Sequence, residues 1–155
     1  MSTITVGIDG SPESLHALRW AITEARRRGS SVHVVHAWQL PYHQGYLGHL
    51  ALNRFREPLA EAADHTLTTA LIDPTINTEG VSITTTAIHG PPAQVLIDMA
   101  ANSELLVVGS RGRGGFTGLM LGSVSQQCAQ GTPCPIVIVP GQPQGDELET
   151  SGNGQ

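Results

Sequence analysis

The stretch LLVVGSRGRGGFTGLMLGSVS, Leu105–Ser125, decides the fold of this chain. Its first four residues are apolar, which predicts a short buried strand. Gly109 and Gly112 interrupt the strand, and after nine further residues the pattern resumes at Gly122-Ser123, where we expect a new helix to begin. This order of strand, glycine-rich loop and helix is typical of an α/β protein that binds an anion at the helix N-terminus.

The same loop has the chemistry of a polyphosphate site. Glycines let backbone N–H groups approach an anion with no Cβ in the way. Ser123 and Ser125 add hydroxyl donors, and Arg111 and Arg113 add positive charge. The alternative is a merely flexible surface loop, but the strand before it and the helix after it favour phosphate binding.

Composition and charge narrow the class of protein. The chain has 155 residues, which suits one domain, and its 39% hydrophobic and 14% charged content is typical of a soluble globular protein. A net charge of -5 argues against a general nucleic-acid binder. No apolar run approaches the ~18 residues of a membrane span, and no signal-peptide pattern is seen, so we expect a cytoplasmic protein.

Two residue types exclude further classes of site. The chain contains no lysine, which excludes the P-loop motif, whose lysine contacts the phosphates. Cys128 and Cys134 lack the spacing of a metal or redox motif, and we expect reduced thiols rather than a disulfide.

Strand and helix patterns alternate along the chain. We predict five strands, at Ile4–Ile8, Val32–Trp38, Val81–Ile88, Leu105–Val108 and Cys134–Pro140. The predicted helices run from Ser11-Pro12 to Gly29, from about Ala51 to Ile72, from the turn His89-Gly90-Pro91-Pro92 through Ala100, and from Ser123 to Gln130. Between them, Gln39–Leu50 is predicted to be a long loop that could act as a lid, and residues 141–155 to be a disordered tail after a domain of residues 1–140.

Such alternation predicts a three-layer α/β sandwich with a five-stranded, mainly parallel sheet. Ligands of these sheets bind beyond the strand carboxyl ends, where the winding direction switches. If the first and fourth strands are neighbours there, Asp9 and the glycine loop face one cleft. The sequence alone leaves that neighbour relation open.

Three segments together resemble the universal stress protein family. The family's ATP-binding signature, Gly-x-x-Gly, nine residues, then Gly-Ser/Thr, is matched by Gly109, Gly112, Gly122 and Ser123. The opening VGIDGS and the closing CPIVIVP are similar to that family as well. The resemblance covers roughly Ile4–Pro140 and implies an adenine nucleotide alpha hydrolase-like fold.

The resemblance also implies how a nucleotide would lie. Asp9 would approach the ribose hydroxyls, and the backbone of Ala37 would lie against adenine, at a position where the family often has valine. Val108 and Gly109 would line the ribose side, and the residues around the helix start would hold the phosphates. The full set of predicted cofactor-binding residues is Asp9, Ser11, Ala37, Val108, Gly109, Arg111, Gly112, Gly122, Ser123, Val124 and Ser125, with no catalytic or metal-binding residue assigned.

Several residues have simpler interpretations. His33 and His36 are expected to be solvated or hydrogen-bonded rather than metal ligands, because no third ligand has a supporting spacing. Trp20 and Trp38 are expected to pack rather than to stack on a ligand. Arg26, Arg27 and Arg28 are expected to complement the dipole at a helix end rather than to bind DNA.

The resulting hypothesis is an ATP-binding regulator or sensor of a stress response. ATP, with or without Mg²⁺, is the expected ligand, and the family implies a homodimer formed through the last strand, Ile136–Val139. An unidentified regulatory protein would be the partner, with no nucleic acid and no membrane involved. A slow ATPase and a partner-binding dimeric module for another ligand, such as a cyclic nucleotide, remain the alternatives.

Overall fold

A computed structural model of the chain describes residues 1–40, 46–111 and 121–141, with the backbone alone for residues 46–53. Within these ranges the strands are β1 (Thr3–Gly7), β2 (Ser31–Trp38), β3 (Ile83–His89), β4 (Leu105–Gly109) and β5 (Ile136–Val139). The helices are α1 (Pro12–Arg28), α2 (Tyr46–Leu71), α3 (Pro92–Met99) and α4 (Ser123–Gly131).

The five strands form one parallel sheet in the order β3-β2-β1-β4-β5. Helices α1 and α2 cover one face, over a core that includes Ile4, Leu18 and Val34. Helices α3 and α4 cover the other face, over a second core that includes Leu96 and Leu106. The predicted three-layer α/β fold is confirmed.

Helix α1 shows how local sequence signals set an element. The Ser11 hydroxyl accepts a hydrogen bond from the backbone N–H of Ser14, and proline occupies the first turn. Gly29 ends the helix in the left-handed conformation at φ 71°, which glycine adopts without steric cost. Both predicted ends of this helix are therefore confirmed.

The prediction for Gln39–Leu50 is wrong in its second half. Residues 41–45 lie outside the described part of the chain, but α2 already begins at Tyr46. Gly48 suggested a loop, yet a single glycine costs a helix only about 1 kcal/mol, which a long helix tolerates. Leu47, Leu50 and Ala51 extend the apolar spacing of the helix toward its N-terminus.

Other element boundaries differ from the predictions by up to two residues. β5 is shorter than Cys134–Pro140, and β3 begins at Ile83 and ends at His89. No helix in the described part of the chain combines the length and hydropathy that a membrane span requires. The predicted tail lies outside the described residues beyond Gly141.

Candidate functional site

The carboxyl ends of β1 and β4 lie side by side. The two strands pair in parallel, with Ile4 opposite Leu105 and Val6 opposite Val107. From this pair the chain winds in opposite directions, since β2 and β3 lie beyond β1 and β5 lies beyond β4. The neighbour relation that the sequence left open therefore holds, and the turn at Asp9 and the entry to the glycine loop meet at the switch point of the sheet.

The turn between β1 and α1 is held by its own side chains. The Asp9 carboxylate accepts a hydrogen bond through Oδ1 from the backbone N–H of Ser11, at 2.9 Å. The Ser14 hydroxyl donates to the carbonyl of Ser11 at 2.9 Å, and the Asp9 N–H donates to Ser14 Oγ at 3.3 Å. Gly10, at φ 81°, supplies the left-handed residue that the turn needs. One carboxylate oxygen of Asp9 thus stabilises the turn, as is common for an aspartate in a turn.

Ser11 has a structural role in this turn. Its side chain is buried, and its hydroxyl caps the start of α1. The predicted contact between Ser11 and a ligand therefore has to compete with the cap, whose loss typically costs about 1 kcal/mol.

His36 supports the same edge from β2. Its ring Nδ1 lies 2.8 Å from the backbone carbonyl of Ile8, the residue before Asp9. Because a carbonyl only accepts hydrogen bonds, Nδ1 is the donor. Ala37, the predicted neighbour of adenine, is half-buried and lies opposite Ile88 of β3.

The end of β4 is fitted closely to the first turn of α1. A Cβ on Gly109 would lie 3.2 Å from the backbone oxygen of Glu13, so glycine at this position lets α1 approach the strand. Val108 is only 3% exposed, and its side chain belongs to the core beneath α3 and α4. Any contact of Val108 with a ribose would therefore be made by its backbone.

The glycine loop is closed at its base by one carbonyl group. The carbonyl oxygen of Ser110 accepts from the backbone N–H of Gly122 at 2.7 Å and from the hydroxyl of Ser125 at 2.9 Å. The N–H of Ser110 in turn donates to Val139 of β5 at 2.9 Å. We call this arrangement of Ser110, Gly122 and Ser125 the neck of the loop. It ties the start of α4 to the sheet.

The first turn of α4 points its amides into this region. Gly122 is the N-cap residue, and in the described part of the chain no side chain caps the helix. A helix start of this kind can bind an anion through its first-turn amides and the positive end of the helix dipole. Ser123 is exposed, and Val124 packs partly on the second core.

The structure describes only some of the remaining predicted residues. Arg111 is half-buried at the exit from β4. Gly112 and Arg113 lie outside the described residues. The structure therefore brings the turn at Asp9, the exit from β4 and the start of α4 to one edge, whereas Ser125 is 2% exposed and lies beneath that edge.

Several interpretations made for residues outside the site are confirmed. His33 Nε2 lies 2.7 Å from the hydroxyl of Thr86, and burial lowers the pKa of His33. Arg26 donates to the carbonyls of Asn77 and Glu79, and Arg28 pairs with Glu24 at 2.6 Å, as expected of a helix end.

The aromatic and sulfur side chains also behave as expected. Trp20 packs against the first core, and the ring of Trp38 lies 4.8 Å from that of His89. Cys128 and Cys134 are free thiols, and burial raises the pKa of Cys128 to about 11.

Across the described ranges, no three His, Cys, Asp or Glu side chains converge on a point that could hold a metal ion.

Sequence reasoning missed the groups that hold the edge in place. Ser110 acts through its backbone carbonyl, which no side-chain pattern reveals. His36 supports the turn at Asp9 from the neighbouring strand β2, and Ser14 supports it from the first turn of α1. Ser123 and Ser125 were the available signal in the sequence, but on the sequence alone both hydroxyls are interpreted as ligand contacts.

Comparison with known proteins adds independent information. The model of the universal stress protein family matches residues 1–140. A universal stress protein of Mycolicibacterium smegmatis is 34% identical over 140 residues, which cover 88% of this chain and 45% of that protein. One of Mycobacterium tuberculosis is 34% identical over 141 residues, covering 87% of this chain and 44% of the relative. The chain thus spans less than half the length of these curated relatives.

Solved structures share the fold. The universal stress protein UspA from Lactobacillus plantarum has a TM-score of 0.78 at 18% identity, covering 89% of this chain and 97% of that one. A universal stress protein from Archaeoglobus fulgidus in complex with dAMP has a TM-score of 0.63 at 23% identity, covering 90% and 98%. A universal stress protein in complex with cAMP has a TM-score of 0.58 at 24% identity, covering 90% and 97%.

Proposed function

This chain belongs to the universal stress protein family, and on that premise we propose that it binds an adenine nucleotide, ATP foremost, as a regulator or sensor in a stress response. The observation that carries the proposal is the first turn of α4, which no side chain of the described residues caps. The neck ties this turn to the same sheet edge that bears Asp9. A donor-rich helix end next to a carboxylate suits a ligand with phosphates at one end and a diol in the middle. The two fold relatives that hold dAMP and cAMP support an adenine nucleotide.

We assign the ligand along the edge of the sheet. The phosphates would lie against the amides of Ser123 and Val124, with Gly112, Gly122 and Arg111 around them. The ribose would lie at Asp9, beside the backbone of Val108 and Gly109, and the base would lie near Ala37. Ser11 would contribute through the turn it caps. The order of the strand ends along the edge, β4, β1 and β2, supports this assignment.

The two arginines in the sequence of this loop favour ATP over a monophosphate. Arg111 lies at the exit from β4, and Arg113 follows it in the loop, so the loop offers charge beyond what a single phosphate needs. Any Mg²⁺ would arrive bound to the phosphates, in the way Mg²⁺ commonly enters nucleotide sites. We take residues 1–140 as the nucleotide-binding domain and the cytoplasm as the location.

A homodimer through β5 is part of the proposal. β5 lies at the edge of the sheet. The carbonyl of Pro135 accepts from Leu106 of β4, and that of Val139 accepts from Ser110, directly after β4. By strand alternation, the backbone N–H and C=O groups of Ile136 and Ile138 therefore turn away from β4. Such an edge is available to a second strand, and its apolar composition favours a second copy of the chain over solvent. A regulatory protein partner remains to be identified.

One experiment tests the ligand. The purified protein is denatured, and the released small molecules are identified by mass spectrometry. The refolded or ligand-free protein is then titrated with ATP, AMP and cAMP by calorimetry, with and without Mg²⁺. We expect ATP to bind most tightly. Tighter binding of cAMP would make the protein a cyclic-nucleotide module, and the absence of binding to all three nucleotides would refute the proposed function.

A further inference from the structure

The Ser125 hydroxyl has no proton left for a phosphate. Its Oγ lies 2.9 Å from the carbonyl oxygen of Ser110 and 3.0 Å from that of Gly122. Both partners are carbonyls and can only accept, so the single O–H of Ser125 is shared between them. Ionised phosphate oxygens also only accept hydrogen bonds. The side chain is 2% exposed, which leaves no open path to a ligand.

We propose that Ser125 is a positioning residue, which closes the neck and thereby aims the first-turn amides of α4 at the phosphates. This role replaces the direct ligand contact that the sequence predicts for Ser125, and it rests on the proposed function. The chemistry of the ligand group it serves is that of a phosphate anion, bound by the backbone amides of Ser123 and Val124.

The geometry explains why one hydroxyl has this effect. The Ser110 carbonyl is anchored from the other side, because the N–H of Ser110 donates to Val139 of the sheet. The same carbonyl receives the Gly122 N–H at 2.7 Å. Ser125 therefore links the third residue of α4 to a group that is fixed to β5. Without this link, the Gly122 N–H remains as the hydrogen bond between the start of α4 and the Ser110 carbonyl.

Hydrogen exchange of the Gly122 amide tests the neck without any nucleotide. In Ser125→Ala, we expect the Gly122 N–H to exchange about tenfold faster than in the ligand-free wild type, because a hydrogen bond that supports it is lost. Ser125→Thr keeps the hydroxyl, and threonine in a helix readily bonds a carbonyl three or four residues earlier, so its exchange should stay near the wild-type rate. Ser123→Ala makes the same chemical change at an exposed position of the same turn and should leave the rate unchanged.

ATP affinity separates positioning from a purely structural role. In Ser125→Ala we expect about a tenfold loss of ATP affinity, which Ser125→Thr restores. Ser123→Ala keeps the backbone amide but removes the exposed hydroxyl that the sequence predicts to be a phosphate donor, so it should weaken ATP binding with no change in exchange. Thermal unfolding of each variant confirms that the measured protein is folded.

Three outcomes would overturn the assignment. Unchanged Gly122 exchange in Ser125→Ala, with ATP affinity lost, would make Ser125 a direct ligand. Faster exchange with unchanged affinity would make its role structural only. A wild-type protein that binds no nucleotide would refute the proposed function and the positioning role together, although the exchange rates would still show whether the neck exists.

Discussion

Replacing Gly122 by valine should block the phosphate site while leaving the fold intact. Gly122 has φ -66° and ψ 165°, an extended conformation that valine adopts readily, so the change introduces no backbone strain. Its N–H donates to Ser110, and its carbonyl accepts from Gln126 at 3.0 Å, and both are main-chain bonds that valine keeps. Because the phosphates are proposed to lie against the first turn of α4, we expect the branched side chain to occupy part of their space.

The size of the effect follows from the bonds that are lost. A hydrogen bond between an amide and a charged phosphate contributes about 1.5–3 kcal/mol. Loss of one such bond should lower ATP affinity about 10- to 150-fold, since each 1.4 kcal/mol is about a factor of ten. Gly122→Ala adds a single methyl group and should give a smaller loss. Adenosine, which lacks phosphates, should bind the wild type and both variants equally.

Isothermal titration calorimetry measures these affinities, and the thermal midpoint of each variant checks folding. The reasoning would be refuted by a folded Gly122→Val protein that binds ATP as tightly as the wild type. It would also be refuted by equal losses of ATP and adenosine, because the effect would then lie outside the phosphate region.

Three further predictions concern the sugar, the assembly and the chemistry. Asp9→Asn keeps an oxygen for the Ser11 N–H, so the turn should survive while ATP binding weakens; the loss should shrink for 2′,3′-dideoxy-ATP, and equal losses measured by calorimetry would contradict a ribose contact. Ile138→Pro removes an N–H that faces away from β4 and should convert a dimer to a monomer in light scattering over a concentration series; a wild-type protein that is monomeric at high micromolar concentration would end the dimer hypothesis. In a phosphate-release assay with saturating ATP and Mg²⁺, the rate of hydrolysis should stay far below ~1 s⁻¹. The reason is that the chain has no lysine to contact the phosphates and that no general base is assigned from its sequence. Faster turnover that Gly122→Val abolishes would identify an enzyme.

The sequence predicted the helices and strands themselves better than the residues at which they begin and end. Ser11, Pro12 and Gly29 carry strong local signals, so α1 was predicted at both ends. The start of α2 was missed because Gly48 resembles a loop signal, whereas the cost of one glycine is small against the packing of a helix that runs to Leu71.

The residues proposed for the site could be named from the sequence, but the bonds that connect them could not. Asp9 and the glycines could be selected from their positions after strands, but the pairing of β1 with β4 is a long-range property that no local pattern encodes. The role of Ser125 depends on the carbonyl of Ser110, 15 residues away in the chain. A serine can either contact a ligand or form a buried hydrogen bond within the protein, and the sequence does not distinguish the two. Distances and burial are needed to separate the two.

The neck also has a consequence for how such a loop can change. Because Ser110 and Gly122 are joined at the base, the segment between them starts and finishes at two fixed points that do not depend on its length. The entropic cost of closing a flexible segment grows only slowly with length, by about 0.6 kcal/mol per doubling. Insertions or exchanged sequences between residues 114 and 120, which keep Gly112 and Arg113, should therefore leave the start of α4 where it is. This stretch is a suitable position for grafting a reporter or a recognition peptide that responds to a bound nucleotide.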